Sequence, residues 1–441
     1  MRLKKLISGV LAGLTAISSI PFSSAGVIAL AADAEKDVWD GTTDTSWYDS
    51  EETEFHISTP EELAGLAELV NDGKSMSGQT FVLDNNIYLN DVSKYEKWES
   101  VTPTNSWTPI GTSDTYYFSG IFDGSGFSIE GLYILGSKYQ YSGLFGYTTE
   151  SSEIKNVNTA YEYISNTYST SECYVGGITA YSKGKIDNCI FNGTVTTYSS
   201  SSYYYSYGGG IAGYSTAEIS NCTNSGTVTS SSSYDSYGGG ITGCSTAKIS
   251  NCTNNGNIFS LNEIRPSVPD SCYIHNSNKG GITGYSSAEI SNCENNGNVS
   301  SSSSSYGTYS YSYGGGIAGS SIAKIINCKN SGNISSSSSY YYYSYAGGIV
   351  GKLSEATILN CYNIATVNGN NYSGGLVGYS NSITIKTSYN TTEVTGSDYV
   401  GGVVGYNNIG NMSVFEGSYS VGKIDVYSHN EETIVVIGSI Y

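Results

Sequence analysis

In this chain of 441 residues, few side chains can carry acid–base, metal or nucleophilic chemistry, and their spacing limits the chemistry open to it. The histidines His56, His275 and His429 stand far apart, and no His-Glu-x-x-His zinc motif occurs. Arginine occurs only as Arg2 and Arg265. Arg265 lies in Asn262-Glu263-Ile264-Arg265-Pro266, near Asp270 and His275, the one segment where a cation and acids could meet a polysaccharide. A lyase needs such a cation to neutralise a uronate, and a hydrolase needs paired carboxylates. Pro266 and Pro269 equally suit a rigid loop. Asp123-Gly124-Ser125-Gly126 has the look of a calcium-loop fragment, but Asp-Gly is an ordinary turn and the EF-hand pattern is not completed. The nine cysteines lack the Cys-x-x-Cys spacing of a metal site. No catalytic residue, metal or cofactor is assigned, and the chain reads as non-enzymatic.

Tyrosine, by contrast, is abundant, with 42 copies. Five segments of unequal length, 196–207, 229–237, 259–279, 300–313 and 335–345, enter the sequence at equivalent places, and four of them are almost wholly Ser and Tyr. Tyr offers a large amphipathic area at low entropic cost and Ser offers adaptable hydrogen bonding, the composition of contact surfaces. The ligand-binding candidates are Tyr203, Tyr204, Tyr205, Tyr207, Tyr234, Tyr237, Tyr309, Tyr311, Tyr313, Tyr340, Tyr341, Tyr342 and Tyr343. The competing expectation is that these segments extend strands and their rings stack from one repeat to the next.

A formal net charge of -19 with only 13% charged residues lacks the basic footprint of a nucleic-acid binder and repels anionic membranes. Residues 1–31 read as a secretory signal peptide: Arg2, Lys4 and Lys5, an apolar run from Leu6 to Ile20, and Ala29-Leu30-Ala31 as the cleavage site. No second apolar segment is long enough to insert in a membrane. The mature chain is expected outside the cell, free or held to the surface by non-covalent contacts.

The element that must position the tyrosines is a repeat. Its first half is Gly-Gly-aliphatic, at Gly176-Gly177-Ile178, Gly209-Gly210-Ile211, Gly239-Gly240-Ile241 and onward to Gly401-Gly402-Val403; its second is Ile-x-Asn-Cys-x-Asn-x-Gly-x-Val. Short β-branched segments between Gly and Asn turns, without helical periodicity, imply a β-solenoid of about eleven rungs, with one repeat per rung. Aligned, the second halves give columns. Ile154, Ile186, Ile219, Ile249, Ile290, Ile325, Ile358 and Ile385 form the core. Asn221, Asn251, Asn292 and Asn327 stand in a column that suits left-handed corners and a rung-to-rung amide ladder. Next to it Cys222, Cys252, Cys293 and Cys328 alternate with Val157 and Ser388, as a small inward slot for buried free thiols would accept. Glu218, Lys248, Glu289 and Lys324 alternate in sign, which disfavours a one-rung slip.

Residues 32–58 form a lead segment, and residues 59–100 hold a capping helix and the first strand. Thr59-Pro60-Glu61-Glu62 is a capping box with Pro at the first helical position, and Leu63, Leu66, Ala67 and Val70 make one apolar face. The helix covers the open end of the stack, and residues 101–441 form the repeat domain.

Trp107-Thr108-Pro109-Ile110-Gly111, Phe118-Ser119-Gly120-Ile121-Phe122-Asp123-Gly124 and Gly143-Leu144-Phe145-Gly146 resemble the opening of bacterial GLUG-motif proteins, and the later Gly-Gly-Ile repeats resemble the motif itself. The resemblance implies an all-β, right-handed parallel β-helix of the pectin-lyase-like kind on exported or surface proteins. Such repeats occur in adhesins and beside the catalytic part of IgA-specific metallopeptidases, whose zinc motif is missing here. The function expected is a secreted or cell-surface binding protein that presents its Tyr/Ser face to a glycan, glycoprotein or envelope component. The alternatives are a carbohydrate-active β-helix enzyme and a structural spacer.

Overall fold

The computed structural model describes residues 37–201, 203–260, 275–303, 310–338, 343–408, 413–426 and 435–436. All interstrand pairings are parallel, and the strands fall into five sheets of 12, 11, 10, 10 and 9 strands, the arrangement of a parallel β-helix. One coil visits each sheet once. In one coil the strands are Ile219–Ser220 (sheet I), Thr223–Asn224 (sheet II), Thr227–Ser232 (sheet III), Ser236–Gly239 (sheet IV) and Thr242–Ser245 (sheet V). Among the described residues no helix is long and apolar enough to cross a membrane.

The stack begins with β1 (Glu54–Ile57), followed by α1 (Pro60–Asn71), β2 (Thr80–Leu83) and β3 (Ile87–Tyr88). β1 pairs with β2 in sheet I, so α1 is a crossover inserted between the first two strands. Thr59 Oγ1 accepts from the Glu62 N–H at 3.2 Å, and the Glu62 carboxylate accepts from the Thr59 N–H at 3.1 Å, completing the capping box. Leu63, Leu66 and Val70 are fully buried in the core that also holds Phe81 and Leu83, so the helix shields the apolar end of the coil.

The repeat columns have the directions inferred from their spacing. Every Ile of the first column is at most 1% exposed. The corner asparagines carry left-handed backbone, from φ 52 at Asn188 and Asn360 to φ 57 at Asn221, and Thr387 holds the same corner at φ 47. Their amides form the expected exposed ladder. Asn251 Nδ2 donates to Asn221 Oδ1 at 3.3 Å, Asn292 to Asn251 at 3.2 Å, Asn327 to Asn292 at 3.0 Å and Asn360 to Asn327 at 2.8 Å. Cys222, Cys252, Cys293 and Cys328 are buried and free, and each thiol lies within hydrogen-bonding reach of the carbonyl two residues back, at 3.1–3.3 Å. Ser388 makes the same bond at 2.7 Å, which is why Ser and Cys interchange in this column.

A second amide ladder, to which the sequence reading gave no role, lies inside the coil. Asn224 Nδ2 donates to Asn254 Oδ1 at 2.6 Å, Asn254 to Asn295 and Asn295 to Asn330 at 2.7 Å, Asn330 to Asn363 at 2.7 Å, and Asn363 to Asn390 at 2.8 Å. It runs opposite to the outer ladder: each residue donates to the following rung. Each Nδ2 also donates to the carbonyl two residues on, as Asn254 does to Gly256, and the Gly256 N–H returns a bond to Asn254 Oδ1. A buried amide is thereby fully satisfied. The two halves of the repeat explain each other here: a Cβ on Gly240, the second Gly of its pair, would overlap the Asn254 amide.

The alternating charges pair in part. Lys185 Nζ lies 3.5 Å from Glu153, and Lys248 Nζ lies 3.4 Å from Glu289. Glu218 instead accepts from Ser250 Oγ at 3.5 Å, while Lys324 occupies its expected register through the Ile290 N–H bond to its carbonyl. These half-exposed pairs contribute about 0–1 kcal/mol each, so their role is in register rather than in stability.

Candidate functional surface

Among the described residues the Ser/Tyr segments are largely strand. The first is occupied by Gly193–Ser199 and Ser206–Gly209, the second by Thr227–Ser232 and Ser236–Gly239, and the last two by Val299–Ser303 with Ser310–Gly315 and Ile334–Ser338 with Tyr343–Gly347. Alternation along the strand gives the physical reason. Ser206, Ser230, Ser312 and Ser336 turn inward and are buried, and their hydroxyls bond across sheets III and IV, at 3.3 Å for Ser206–Ser230 and 2.9 Å for Ser312–Ser336. The intervening tyrosines turn outward. Sheets III and IV therefore run past the hydrophobic core as a serine-lined extension with tyrosine on its outer side.

The candidate tyrosines occupy two tiers. At the outer edge Tyr203 is 65% exposed and Tyr343 46% exposed. Tyr204 is half-buried. Tyr205 packs against Tyr234 with centroids 5.1 Å apart, and Tyr311 stacks on Tyr343 at 6.2 Å. Deeper in, Tyr207 and Tyr237 stack at 5.1 Å, and Tyr313 stacks on Tyr345 at 5.0 Å; Tyr207 and Tyr313 are buried. The deeper ring faces are thus taken by neighbouring tyrosines, while Tyr203 and Tyr343 keep area open to a ligand. Tyr309, Tyr340, Tyr341 and Tyr342 lie outside the described residues.

The deeper tier belongs to a larger aromatic wall that extends beyond the Ser/Tyr segments. Its first row, on sheet IV, is Tyr141, Tyr174, Tyr207 and Tyr237, then Tyr313, Tyr345, Tyr372 and Tyr399 after a break at Asn278. The second row, on sheet V, holds Tyr147, Tyr181 and Tyr214, then Tyr285 beyond Cys244, and Tyr379 and Tyr406 beyond Ser320 and Lys352. The signal was available: a Tyr recurs just before the Gly-Gly pair and again three residues after the aliphatic position that follows it.

At the break, the third segment places unusual groups. Lys279 stands in register with Gly238 and Gly314 and is fully buried, its stem lying in the space a side chain at Gly238 would fill. Its Nζ donates to Ser236 Oγ at 2.9 Å, Ser277 Oγ at 3.2 Å and the Ser236 carbonyl at 3.4 Å. Burial pulls this amine down to about 7, against a smaller opposing pull from Asp235. Asp235 is itself buried and raised by desolvation, and it accepts from the Asn276 N–H at 2.8 Å and Asn276 Nδ2 at 3.1 Å. Arg265 and Asp270 lie outside the described residues, and His275 begins the strand His275–Gly280.

The other chemical candidates are ordinary. Asp123 accepts from the Ser125 N–H at 2.8 Å and Asn156 Nδ2 at 2.9 Å, and it faces Lys155 at 3.5 Å, so its carboxylate is occupied by a turn and a ladder end. His56 is exposed and bonds Asp84 at 2.9 Å, which raises its pKa. Among the described residues no group of three His, Cys, Asp or Glu side chains is placed to hold a metal ion. The surface offers hydroxyls, amides and aromatic rings.

Comparison with known proteins agrees on the repeat. The model of the GLUG motif matches residues 204–229. No curated protein matches the chain. A solved structure described as a "putative immunoglobulin A1 protease" from Bacteroides ovatus is 17% identical, covering 88% of this chain and 84% of that one, with a TM-score of 0.32.

Proposed function

Since the chain is a GLUG-repeat protein, we propose that it works outside the cell as a non-enzymatic binding or adhesion protein whose Tyr/Ser surface contacts a glycan or glycoprotein. The observation that carries this is the outer tier: Tyr203, in the bend between the strands Gly193–Ser199 and Ser206–Gly209, and Tyr343, at the start of its strand and paired with Tyr311, present open aromatic area. Rigid rings lose little entropy on binding, and their amphipathic character suits the apolar faces and hydroxyl rims of sugars. The amino-terminal signal-like segment supports export, and the acidic charge argues for a neutral ligand over an anionic polymer.

An array of neutral and acidic glycans probed with the mature protein tests this reading. Retention on at least one glycan class, without product release, is expected. Retention on none refutes it. Release of oligosaccharides from pectin or host glycans, lost in Arg265→Ala, would establish the carbohydrate-active enzyme instead.

A further inference from the structure

The aromatic wall differs from the outer tier in what it shows to solvent. Along the first row the centroids are 5.2 Å apart for Tyr141–Tyr174, 5.0 Å for Tyr174–Tyr207 and 5.1 Å for Tyr207–Tyr237, with planes within 12° of parallel. The second row repeats this at 5.0 Å for both Tyr147–Tyr181 and Tyr181–Tyr214. Within a rung the two rows meet edge to face, as Tyr174–Tyr181 at 5.2 Å and Tyr207–Tyr214 at 5.4 Å. The ring faces are therefore occupied inside the wall, and its outer surface consists of ring edges and phenol hydroxyls. Among the described residues the hydroxyls of Tyr174, Tyr181, Tyr207 and Tyr214 make no hydrogen bond within the protein, and none is shut away from water. Across these two rungs the result is a double row of free hydroxyls, one per row per rung, at the strand spacing of a β-sheet; beyond them Lys183 engages Tyr147, Asp235 engages Tyr237, and Cys244 takes the second-row place beside Tyr237.

We propose that this wall binds an uncharged, extended β-1,4-linked polysaccharide laid along the coil axis, one sugar per rung. The inference rests on the glycan-binding reading above but assigns a different surface and a linkage. Three observations support it. An extended chain of equatorially linked pyranoses advances by about one ring length per sugar, close to the ring-to-ring separation in the wall, so successive sugars stay in step with successive phenols. Chains that coil, such as α-1,4- or β-1,3-linked glucans, drift out of step within a few residues. A phenol hydroxyl both donates and accepts, as does a sugar hydroxyl, so each rung can bond a hydroxyl of its sugar even though successive β-1,4-linked sugars are turned over and present alternate edges. Each such bond replaces one to water and adds little alone, but repetition along one rigid row accumulates. The first row is set against polyanions by Asp114 and Glu172, which lie close enough to act on Tyr141 and Tyr174, whereas beside Tyr181 Glu150 is paired with Lys183 at 3.5 Å. The break at Asn278 limits each run of the first row to four rings, Tyr141 to Tyr237 and Tyr313 to Tyr399.

The test is a calorimetric titration of the full mature chain with β-1,4-linked gluco- and N-acetylglucosamine oligosaccharides of increasing length, beside α-1,4 and β-1,3 gluco-oligosaccharides. Affinity should climb with each added β-1,4-linked sugar up to about four and then flatten, and exceed that for the α-1,4 series by about tenfold or more. The substitutions Tyr174→Phe, Tyr181→Phe, Tyr207→Phe and Tyr214→Phe together keep the stacked rings and remove only the hydroxyls. They should weaken binding about tenfold or more with unchanged melting. Affinity independent of length or linkage, or a Phe variant that binds like the parent, overturns the proposal. If Tyr203→Ser abolishes glycan binding while the Phe variant keeps it, the outer tier is the site and the wall is not. If no glycan of any linkage binds, both readings fall.

Discussion

Replacing Lys279 by Met should stabilise the protein, and by an amount that depends on pH in a defined way. The lysine is fully buried, and its amine is lowered from 10.5 to about 7 by desolvation. In the unfolded chain it binds a proton up to about its ordinary pKa; in the folded chain it does so only below about 7. Between those limits the unfolded state holds more protons, so stability rises as pH rises through this window and the penalty is complete below it. A shift of this size at roughly 1.4 kcal/mol per unit corresponds to a penalty of order 5 kcal/mol at neutral pH, an upper bound because the three oxygens around Nζ remain available to other partners. Met keeps the stem that fills the glycine-lined space. The groups facing the amine are Asp235, Ser236 and Ser277, and only Asp235 titrates. Denaturant unfolding of parent and Lys279→Met from pH 6 to pH 10.5 is the assay. The difference should be several kcal/mol near pH 6 and shrink steadily toward the alkaline end. A difference independent of pH, or a variant less stable throughout, would refute the assignment of Lys279 as a desolvated amine.

Other substitutions probe the ladders and the core. Glu162 is fully buried with neither carboxylate oxygen hydrogen-bonded, and burial raises its pKa well above the ordinary value. The parent then loses stability as pH climbs from the ordinary carboxylate range through the raised folded value, so Glu162→Gln should gain about 1–3 kcal/mol at neutral pH and little at pH 4 in the same unfolding assay. Asn295→Ala breaks two rung-to-rung bonds inside the coil and should cost about 2–4 kcal/mol, whereas Asn292→Gly at the exposed corner should cost under about 1 kcal/mol because Gly accepts the left-handed backbone. Cys252→Ser should cost less than about 1.5 kcal/mol and be indifferent to reductant, since a hydroxyl can take over the thiol's bond to the Ser250 carbonyl.

The periodic part of the structure was legible because each column repeats under one constraint: Ile inward, Asn at a left-handed corner, Cys or Ser in a small slot. The capping box of α1 was equally plain, being local. Three features are not legible in the sequence. The inner ladder through Asn254 and Asn295 was hidden because its direction depends on the Gly-Gly pair of another part of the coil, which alone makes room for the amide. The serine-tyrosine segments extend strands with stacked rings, as their composition allowed, but composition gives no direction: only pairing between rungs shows that Ser206 and Ser312 face inward. Lys279 is the third, because one cation in a column of small residues resembles an insertion edge rather than a buried charge.

The most direct test of the functional account is the affinity of the mature protein for its best array glycan, measured beside a variant with Tyr203→Ser and Tyr343→Ser. The account predicts a loss of about tenfold or more, roughly 1.4 kcal/mol or more, with an unchanged melting temperature, because both rings sit at the exposed edge. Equal affinity of parent and variant would contradict it.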